Sequence, residues 1–332
     1  MFSRRLILVA LFCGLFFVPA GNAGAGFLPG LDRVGLDEGE IYANGCMAGD
    51  TQVRSRPCRF GDLSSSKRVV LLGDSHAAHW GGALFRVARQ NGWKVIVLTR
   101  ASCPAALVST DKYCDLWRNN ALRRIKKIRP GLVLVGSAAN DQAYSVLRYG
   151  HKLSRHASER RLVAGMVRTL RFLKRWSGQT VLIRDQAVAP FDVTACLRKN
   201  FARSKRCGFR STRTRTWSYD FKAARQVDGI RVIDPQEFLC PGGWCRPLAG
   251  RYLIYRNDSH LAATFTRRQH GWLGRKLGDP WHEAPQRETQ KSERQRKPAV
   301  DFPNPVVQTL WSGATNDEPT PDENQPAESP GS

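Results

Sequence analysis

Short, mostly apolar runs alternate with amphipathic stretches along most of the chain. The runs are typical of buried strands and lie at residues 69–72, 94–98, 132–135, 180–183 and 230–233. Apolar residues at helical spacing occur at about residues 76–90, 117–128, 158–176, 217–227 and 261–277. Strands that alternate with helices in this way predict a parallel sheet with helices on both faces. We therefore expect an α/β fold, a three-layer α/β/α sandwich around a five-stranded, mainly parallel sheet.

The first apolar run ends in a sharp turn of small and polar residues, Gly73-Asp74-Ser75-His76. Ser75 is predicted to lie after the carboxyl end of a strand and at the amino end of a helix, where free backbone N–H groups point outward. Such a position suits a nucleophile whose reaction intermediate carries an oxyanion. Ser75 is therefore the predicted nucleophile.

The amino-terminal end of the chain is predicted to direct export. Arg4 and Arg5 precede an apolar run from Leu6 to Val18, and small residues follow up to Ala25. This order is typical of a secretory signal peptide. We predict a signal peptide at residues 1–25, cleaved after Ala23 or Ala25, which places the protein in the periplasm or outside the cell. An uncleaved membrane anchor is the alternative.

The remaining chain divides by composition into three parts. Residues 26–66 hold glycines, prolines and two cysteines, and we interpret them as an amino-terminal clasp. Residues 67–280 carry the strands and helices and form the predicted catalytic domain. Residues 281–332 are rich in Gln, Glu, Pro and Ser, so we expect a disordered tail, in which 306–311 is the one apolar tract.

The chain is strongly basic. Its 332 residues include 52 Lys and Arg against 28 Asp and Glu, a formal charge of +24. Such a surplus favours anionic partners, and we expect the basic surface to contact anionic envelope polymers. A basic surface with no specific partner is the alternative. The sequence contains no arginine-rich block interleaved with aromatic residues, so it does not indicate specific binding to nucleic acid.

Eight cysteines remain once Cys13, inside the predicted signal peptide, is set aside. An even number of cysteines in an exported protein predicts disulfides. The simplest connectivity joins neighbours along the chain: Cys46 with Cys58, Cys103 with Cys114, Cys196 with Cys207, and Cys240 with Cys245. Zinc binding by these thiols is the alternative, but the sequence contains no Cys-x-x-Cys motif.

Acyl transfer by a serine needs a base within hydrogen-bond reach and a group that orients the base. His260 lies just before the last predicted helix, near the edge of the sheet where ligands bind, and is the predicted base. Asp258 or Asn257 would orient it. We favour Asp258 because a carboxylate also stabilises the imidazolium, whereas Asn257 is neutral.

The oxyanion needs hydrogen-bond donors. The backbone N–H of Ser75 is the first, and the second is either a backbone N–H near Ser102 or the side chain of Asn140. Asp74 and His76 flank the nucleophile and are candidates for contact with the substrate or for support of the turn. His79 falls one helical turn after Ser75, where it either lines the pocket or packs in the core beside its neighbour.

The tripeptide Asp-Ser-His occurs twice, at residues 74–76 and 258–260. Two carboxylates and two imidazoles are suitable ligands for a divalent metal, so a metallohydrolase is a further alternative. No additional cluster of aspartate and histidine in the sequence completes such a site, and we predict neither a metal nor another cofactor.

Several motifs between residues 46 and 277 resemble one known family: 58–62, 72–80, 102–104, 114–118, 129–133 and 255–261. Together they are similar to the SGNH (GDSL-like) hydrolase superfamily, and more narrowly to the SGNH domain associated with acyltransferase-3 membrane proteins. The resemblance implies an SGNH/flavodoxin-like fold, here held by disulfides, with Ser75 as nucleophile and His260 as base. Two positions depart from the family: Asn257 stands where the usual acid is found, and Asn140 lies four residues after Gly136 rather than two.

The resemblance also implies action on O-acyl, usually O-acetyl, groups of glycans. We expect an exported O-acyl transferase or esterase that acts on cell-envelope or extracellular glycans through an acyl-enzyme on Ser75. Transfer would need a separate membrane protein as acyl donor, whereas hydrolysis would need none. A catalytically silent glycan-binding protein is the alternative from another functional class.

Overall fold

The computed structural model describes residues 26–139, 145–211 and 218–281. The predicted signal peptide, Asn140 and the predicted tail from residue 282 onward lie outside these ranges. Within them, the strands are β1 Met47–Ala48, β2 Arg59–Gly61, β3 Arg68–Gly73, β4 Lys94–Arg100, β5 Leu132–Gly136, β6 Leu147–Arg148, β7 His151–Lys152, β8 Gln179–Ile183, β9 Phe209–Arg210, β10 Arg231–Ile233, β11 Trp244–Cys245, β12 Leu248–Ala249 and β13 Tyr252–Leu253.

The helices of the same ranges cover both faces of the sheet. In chain order they are α1 Glu40–Ala43, α2 Ser75–Ala78, α3 Gly81–Asn91, α4 Lys112–Ile128, α5 Arg155–Trp176, α6 Val193–Lys199, α7 Tyr219–Ala224, α8 Gln236–Leu239, α9 Ala263–Arg268 and α10 His270–Leu277. Short 3-10 helices span Val34–Leu36, Phe201–Cys207 and Pro241–Gly243. Across the described ranges, none of the helices has both the length and the apolar character needed to cross a bilayer.

The five predicted strands form the centre of one sheet in the order β4-β3-β5-β8-β10, and all neighbours in this row are parallel. The prediction of an α/β fold with a mainly parallel sheet is confirmed. Along the chain this order is second, first, third, fourth, fifth, as in flavodoxin-like sheets. The crevice for a ligand in such a sheet opens where the order reverses, between β3 and β5.

Strand β3 lies at the centre because both of its faces are apolar. Val69 and Leu71 pack into the core on one face, while Val70 and Leu72 pack into the core on the other. All four side chains are at most 1% exposed. A continuous apolar run of this kind is characteristic of a parallel strand covered on both faces.

The predicted clasp adds two short strands to the sheet. β1 pairs with the carboxyl end of β4 in parallel, and β2 pairs with its amino end in antiparallel orientation, so the sheet has seven strands instead of five. These strands are two and three residues long. A run this short shows no periodicity, which is why the sequence pattern did not reveal them.

Two helices predicted as continuous are interrupted. The predicted helix at 76–90 divides into α2 and α3 around Trp80, and the predicted helix at 261–277 divides into α9 and α10 at Gln269. The amino-terminal segment stabilises the start of α9, because Asp37 accepts hydrogen bonds from the backbone N–H groups of Ala263 and Thr264. A contact between segments so far apart in sequence leaves no local signal.

All four disulfides join neighbouring cysteines, as predicted: Cys46–Cys58, Cys103–Cys114, Cys196–Cys207 and Cys240–Cys245. The first one links the loop that carries β1 to the segment before β2, and it fixes the amino-terminal segment at the edge of the sheet. Disulfides of this number are typical of proteins that fold in an oxidising compartment.

Candidate active site

Strand β3 ends in a glycine whose position leaves no room for a side chain. Gly73 has a φ of 147°. A Cβ atom built there would lie 1.8 Å from the carbonyl oxygen of Gly136 and 2.8 Å from Cβ of Ala77. The close approach of β3 to the end of β5 therefore requires glycine. The chain turns sharply at this point, and Ser75 becomes the first residue of α2.

Asp74 anchors the turn that carries the predicted nucleophile. It is 1% exposed, and its carboxylate accepts hydrogen bonds from the backbone N–H of His76 at 2.8 Å and of Ala138 at 3.0 Å. The first contact caps α2, and the second joins the turn to the loop after β5. Asp74, expected among the residues near the oxyanion, is thus placed as an acceptor for backbone N–H groups.

The predicted nucleophile and base meet in the structure. Nε2 of His260 lies 3.0 Å from Oγ of Ser75, although the two residues are 185 positions apart in the chain. His260 ends a loop that follows β13, and its carbonyl oxygen accepts a hydrogen bond from the N–H of Arg256 at 2.9 Å. This distance is within the range for a serine activated by a histidine.

Asn257, not Asp258, faces the base. Oδ1 of Asn257 lies 3.2 Å from Nδ1 of His260 and accepts hydrogen bonds from the backbone N–H groups of Ser259, at 3.0 Å, and His260, at 2.7 Å. The side chain of Asp258 is exposed and forms no hydrogen bond with the described residues, while its carbonyl oxygen accepts one from Ala189 at 2.8 Å. The expectation for Asp258 is therefore corrected, because the turn around Asn257 directs Asp258 away from the imidazole.

The contact with Asn257 also indicates the tautomer of His260. An amide oxygen accepts a hydrogen bond, so Nδ1 carries the proton and Nε2 is left as the acceptor for the hydroxyl of Ser75. Oγ of Ser259 lies 3.2 Å from the same Nδ1. These contacts favour the tautomer of His260 that can accept a hydrogen bond from Ser75 at Nε2.

Sequence reasoning missed a buried ion pair behind this site. Nδ1 of His76 lies 2.6 Å from the carboxylate of Asp185, which also accepts a hydrogen bond from the backbone N–H of Ala139 at 2.8 Å. The side chain of Gln186 contacts Nδ1 of His76 at 3.1 Å and donates to the carbonyl oxygen of Ser259. Asp185 and Gln186 follow the carboxyl end of β8, and that position in a parallel sheet was the available signal.

A family model of the SGNH domain, described as fused to AT3 domains, matches residues 45–268. The chain belongs to this SGNH family. The match confirms the resemblance and covers both Ser75 and His260. Membership in the family supports an acyl transferase or esterase. No curated protein sequence matches the chain.

Solved structures similar to this SGNH protein have low sequence identity to it. The periplasmic domain of a lipopolysaccharide acetyltransferase from Salmonella ser. Paratyphi A is 16% identical, with 71% of this chain and 87% of that chain covered and a TM-score of 0.49. A putative acylhydrolase from Bacteroides fragilis is 16% identical, with coverages of 66% and 89% and a TM-score of 0.38. A GDSL-like lipase from Bacteroides thetaiotaomicron is 13% identical, with coverages of 64% and 90% and a TM-score of 0.35.

Three imidazoles lie together at the site of this SGNH domain. The ring of His76 is 4.9 Å from those of His79 and His260, and the rings of His79 and His260 are 5.2 Å apart, measured between centroids. His79 is 5% exposed, and neither of its nitrogens has a hydrogen-bond partner within 3.5 Å among the described residues, although the amide of Gln186 is nearby. His79 is therefore both buried and adjacent to the base.

The three imidazoles differ in charge preference. Burial, the neighbouring His76 and Arg256 lower the pKa of His260 to about 3. Burial and the adjacent imidazoles hold the pKa of His79 well below its usual value. Burial disfavours the charged form of His76 as well, but the charge and hydrogen bond of Asp185 outweigh it and raise the pKa of His76. At neutral pH His260 is therefore uncharged and able to accept a proton.

The candidate oxyanion donors are only partly placed. The backbone N–H of Ser75 lies in the first turn of α2, where it has no acceptor among the described residues. The N–H of Ala101 is bound to the carbonyl oxygen of Ala48 at 2.9 Å, which leaves Ser102 as the candidate in that loop. Ser102 is exposed, with a φ of 52°. Asn140 lies outside the described residues.

The two Asp-Ser-His tripeptides do not bring their carboxylates together. Asp74 is bound to backbone N–H groups, and Asp258 is exposed. In residues 26–139, 145–211 and 218–281, no group of three or more His, Cys, Asp and Glu side chains is arranged to hold a metal ion. The arrangement of these residues fits a serine and its base better than a metal site.

Proposed function

We propose that this SGNH protein is an exported, serine-dependent O-acyl transferase or esterase that acts on glycans of the cell envelope or the extracellular space. The observation that carries the proposal is the 3.0 Å contact between Oγ of Ser75 and Nε2 of His260. O-acetyl is the acyl group we favour, in line with the resemblance described above.

In the first step, Oγ of Ser75 attacks the carbonyl carbon of the ester while its proton moves to Nε2 of His260. The negative charge on the carbonyl oxygen faces the backbone N–H of Ser75. The bond between the carbonyl carbon and the leaving oxygen then breaks, and His260 gives its proton to that oxygen. An alcohol leaves, and the acyl group stays on Ser75.

In the second step, an incoming hydroxyl attacks the acyl-serine and gives its proton to Nε2 of His260. The bond between Oγ and the acyl carbon breaks, and His260 returns the proton to Ser75. Water as the attacking group gives hydrolysis, and a sugar hydroxyl gives transfer. Ser75 and His260 have the same roles in hydrolysis and in transfer, so their geometry is compatible with both reactions.

Asn257 supports this chemistry by position alone. Its amide oxygen holds the Nδ1 proton of His260 but brings no charge to stabilise the imidazolium. We expect the imidazolium to be short-lived and to pass its proton directly to the leaving oxygen. The neutral partner is also the observation that favours our second candidate, a glycan-binding protein that keeps the fold without catalysis.

A fluorophosphonate probe separates the two candidates, because it labels only an activated serine. We expect mass spectrometry to find one label, on Ser75, and none after Ser75→Ala. Ser259→Ala is the matched control and should leave labelling intact, since Ser259 contacts the other nitrogen of His260. Absence of label on intact, folded protein would support the glycan-binding function instead.

The proposal includes export and a partner. Four disulfides agree with an oxidising compartment, and the predicted signal peptide would deliver the protein there. If the reaction is transfer, a separate membrane protein of the acyltransferase-3 type would supply the acyl group, since the matching family is described as fused to such domains. The basic surface would then contact anionic polymers of the envelope. Sequencing the amino terminus of the protein recovered from outside the cytoplasm tests the export step.

A further inference from the structure

A cavity of about 540 Å³ lies beside the proposed catalytic pair, Ser75 and His260. His79 forms part of its wall, and the ring of His79 lies 5.2 Å from that of His260. The rest of the wall comes from residues 36–43 of the amino-terminal segment, Ala78 in α2, Gly82 in α3, and the face of α9 that carries Arg267. Its volume falls within the range of about 300 to 1,000 Å³ for small-molecule sites.

The charge of this cavity is opposite to that of the chain. The protein carries 52 basic and 28 acidic residues, yet three carboxylates and one guanidinium line the cavity: Asp37, Glu38, Glu40 and Arg267. Two of the carboxylates have a structural partner. Asp37 accepts hydrogen bonds from Thr264 at 2.7 and 3.1 Å, and Glu38 pairs with Arg256 at 2.8 Å.

Three further side chains of the wall, those of Glu40, His79 and Arg267, have few or no partners in the fold. Oε2 of Glu40 is buried and has no hydrogen-bond partner in the described part of the chain. The nitrogens of His79 are buried as well and have no hydrogen-bond partner within 3.5 Å among the described residues, and the amide of Gln186 is their polar neighbour. Arg267 is exposed and forms no ion pair or hydrogen bond with any described residue. Buried polar groups in folded proteins are normally paired, so the carboxylate of Glu40 and the imidazole of His79 at one cavity indicate a polar ligand, to which the exposed Arg267 can also donate.

The chemistry of this set selects the ligand. A carboxylate accepts hydrogen bonds, a guanidinium donates them, and a neutral imidazole does both. Burial and neighbouring positive charge hold the pKa of His79 well below its usual value, so it acts as a neutral group. The hydroxyls of one ligand satisfy all three partners because each hydroxyl both donates and accepts, whereas an anion would pair with Arg267 alone and be repelled by Glu40 and Asp37.

We propose that this cavity binds an uncharged sugar, with Glu40, His79 and Arg267 as the residues that recognise its hydroxyls. The proposal rests on the proposed function, because it places the sugar that carries or receives the acyl group beside His260. Glu40 is then a determinant of specificity for an uncharged sugar over an acidic one, and Arg267 is a donor to its hydroxyls.

The test measures binding rather than catalysis. Full-length Ser75→Ala protein is titrated with the methyl glycosides of glucose, galactose, mannose and N-acetylglucosamine, and with glucuronate, by ligand-observed NMR. We expect at least one neutral glycoside to bind and glucuronate to bind more weakly. Glu40→Gln and Arg267→Met should each weaken the binding of the neutral glycoside by about tenfold, the effect of losing a hydrogen bond to a charged group.

Matched controls are two exposed residues that do not line the cavity. Asp228→Asn and Arg225→Met should leave the affinity unchanged. Thermal unfolding shows whether Glu40→Gln is folded, and Arg267→Met provides an independent test because the side chain is on the surface. Equal or tighter binding of glucuronate, no binding of any neutral glycoside, or affinities unchanged in the folded Glu40→Gln and Arg267→Met variants would overturn the proposal.

Fluorophosphonate labelling of protein with Ser75 intact separates this proposal from the proposed function. Labelled protein that binds no neutral glycoside contradicts the sugar cavity and leaves the serine mechanism standing. Unlabelled protein that binds a neutral glycoside through Glu40 and Arg267 contradicts the serine mechanism and supports the cavity.

Discussion

The two Asp-Ser-His tripeptides, at residues 74–76 and 258–260, have the same sequence and opposite arrangements. In the first, the aspartate is 1% exposed and binds backbone N–H groups, while the serine faces Nε2 of His260, the proposed base. In the second, the aspartate is exposed and the histidine is the group that faces the nucleophile. Their histidines also differ in partner: a carboxylate for the first, an amide for the second.

The difference comes from which residue caps the local turn. Asp74 itself accepts the N–H two residues ahead. In the second region Asn257, one residue before the tripeptide, accepts the N–H groups two and three residues ahead. The shift of one position turns Asp258 toward solvent and places His260 over Ser75. Identical short motifs therefore acquire different roles from the backbone around them.

The largest expected effect is the difference in kcat between alanine variants of the two serines, Ser75 and Ser259. Ser75→Ala removes the nucleophile and should lower kcat for p-nitrophenyl acetate by about a thousandfold or more. Ser259→Ala removes only a contact to Nδ1 of His260 and should change kcat by less than about tenfold. Initial rates on the two purified variants provide the comparison. Comparable activity of Ser75→Ala and the parent protein would remove this serine from the mechanism.

Asp185→Asn gives His76 an amide partner in place of a carboxylate, like the amide of Asn257 that contacts His260. It breaks a buried ion pair with His76 and should lower the free energy of unfolding by about 3 kcal/mol. The pKa of His76 is raised in the folded protein, so the stabilisation is complete below the unfolded pKa and is lost as the pH rises through the folded pKa. Urea unfolding should therefore show a larger deficit at pH 6 than at pH 10. An equal deficit at both pH values would show that the charge of His76 is not involved.

Asp74→Asn and Asp258→Asn test the two aspartates with the same change. At Asp74 an amide group would replace the oxygen that accepts the 3.0 Å hydrogen bond from the backbone N–H of Ala138. That N–H would keep only its 3.3 Å contact with the other oxygen, which would no longer be charged, so we expect a loss of about 2 kcal/mol in the free energy of unfolding. At exposed Asp258 we expect a change within about 0.5 kcal/mol. Denaturant titration of both variants gives the comparison, and similar losses would contradict the assignment of Asp74 as an anchor.

Asn257→Asp gives His260 the carboxylate that the family normally has. A negative charge at this position should raise the pKa of His260 from about 3 by about one unit, equivalent to about 1.4 kcal/mol. Since the neutral imidazole is the active form, the loss of ester hydrolysis on acidification should begin at higher pH in the variant. Asp258→Asn is the control and should leave the pH profile unchanged. The test is the rate of ester hydrolysis by the parent protein and both variants over the acid pH range, corrected for the unfolded fraction at each pH.

The sequence predicted the site in part. Ser75 and His260 were found because one follows a central strand and the other precedes the last helices, and the carboxyl edge of a parallel sheet collects both. Asp258 was preferred over Asn257 for its charge, and the turn geometry that reversed the choice depends on hydrogen bonds to two particular backbone N–H groups. Asp185 was not predicted because no motif marks it in the sequence, and its pairing with His76 is a tertiary contact.

By itself, the sequence determined the five central strands, the pairing of the cysteines and the position of Ser75, the proposed nucleophile, because apolar runs, short cysteine spacings and a Gly-Asp-Ser turn are local features. Only the tertiary structure decided that the amino-terminal segment adds strands β1 and β2, that Asn257 contacts Nδ1 of His260, and that three histidines and a mainly acidic cavity lie together. Those features depend on contacts between segments distant in sequence, and such contacts form only when burial of the sheet brings the segments together.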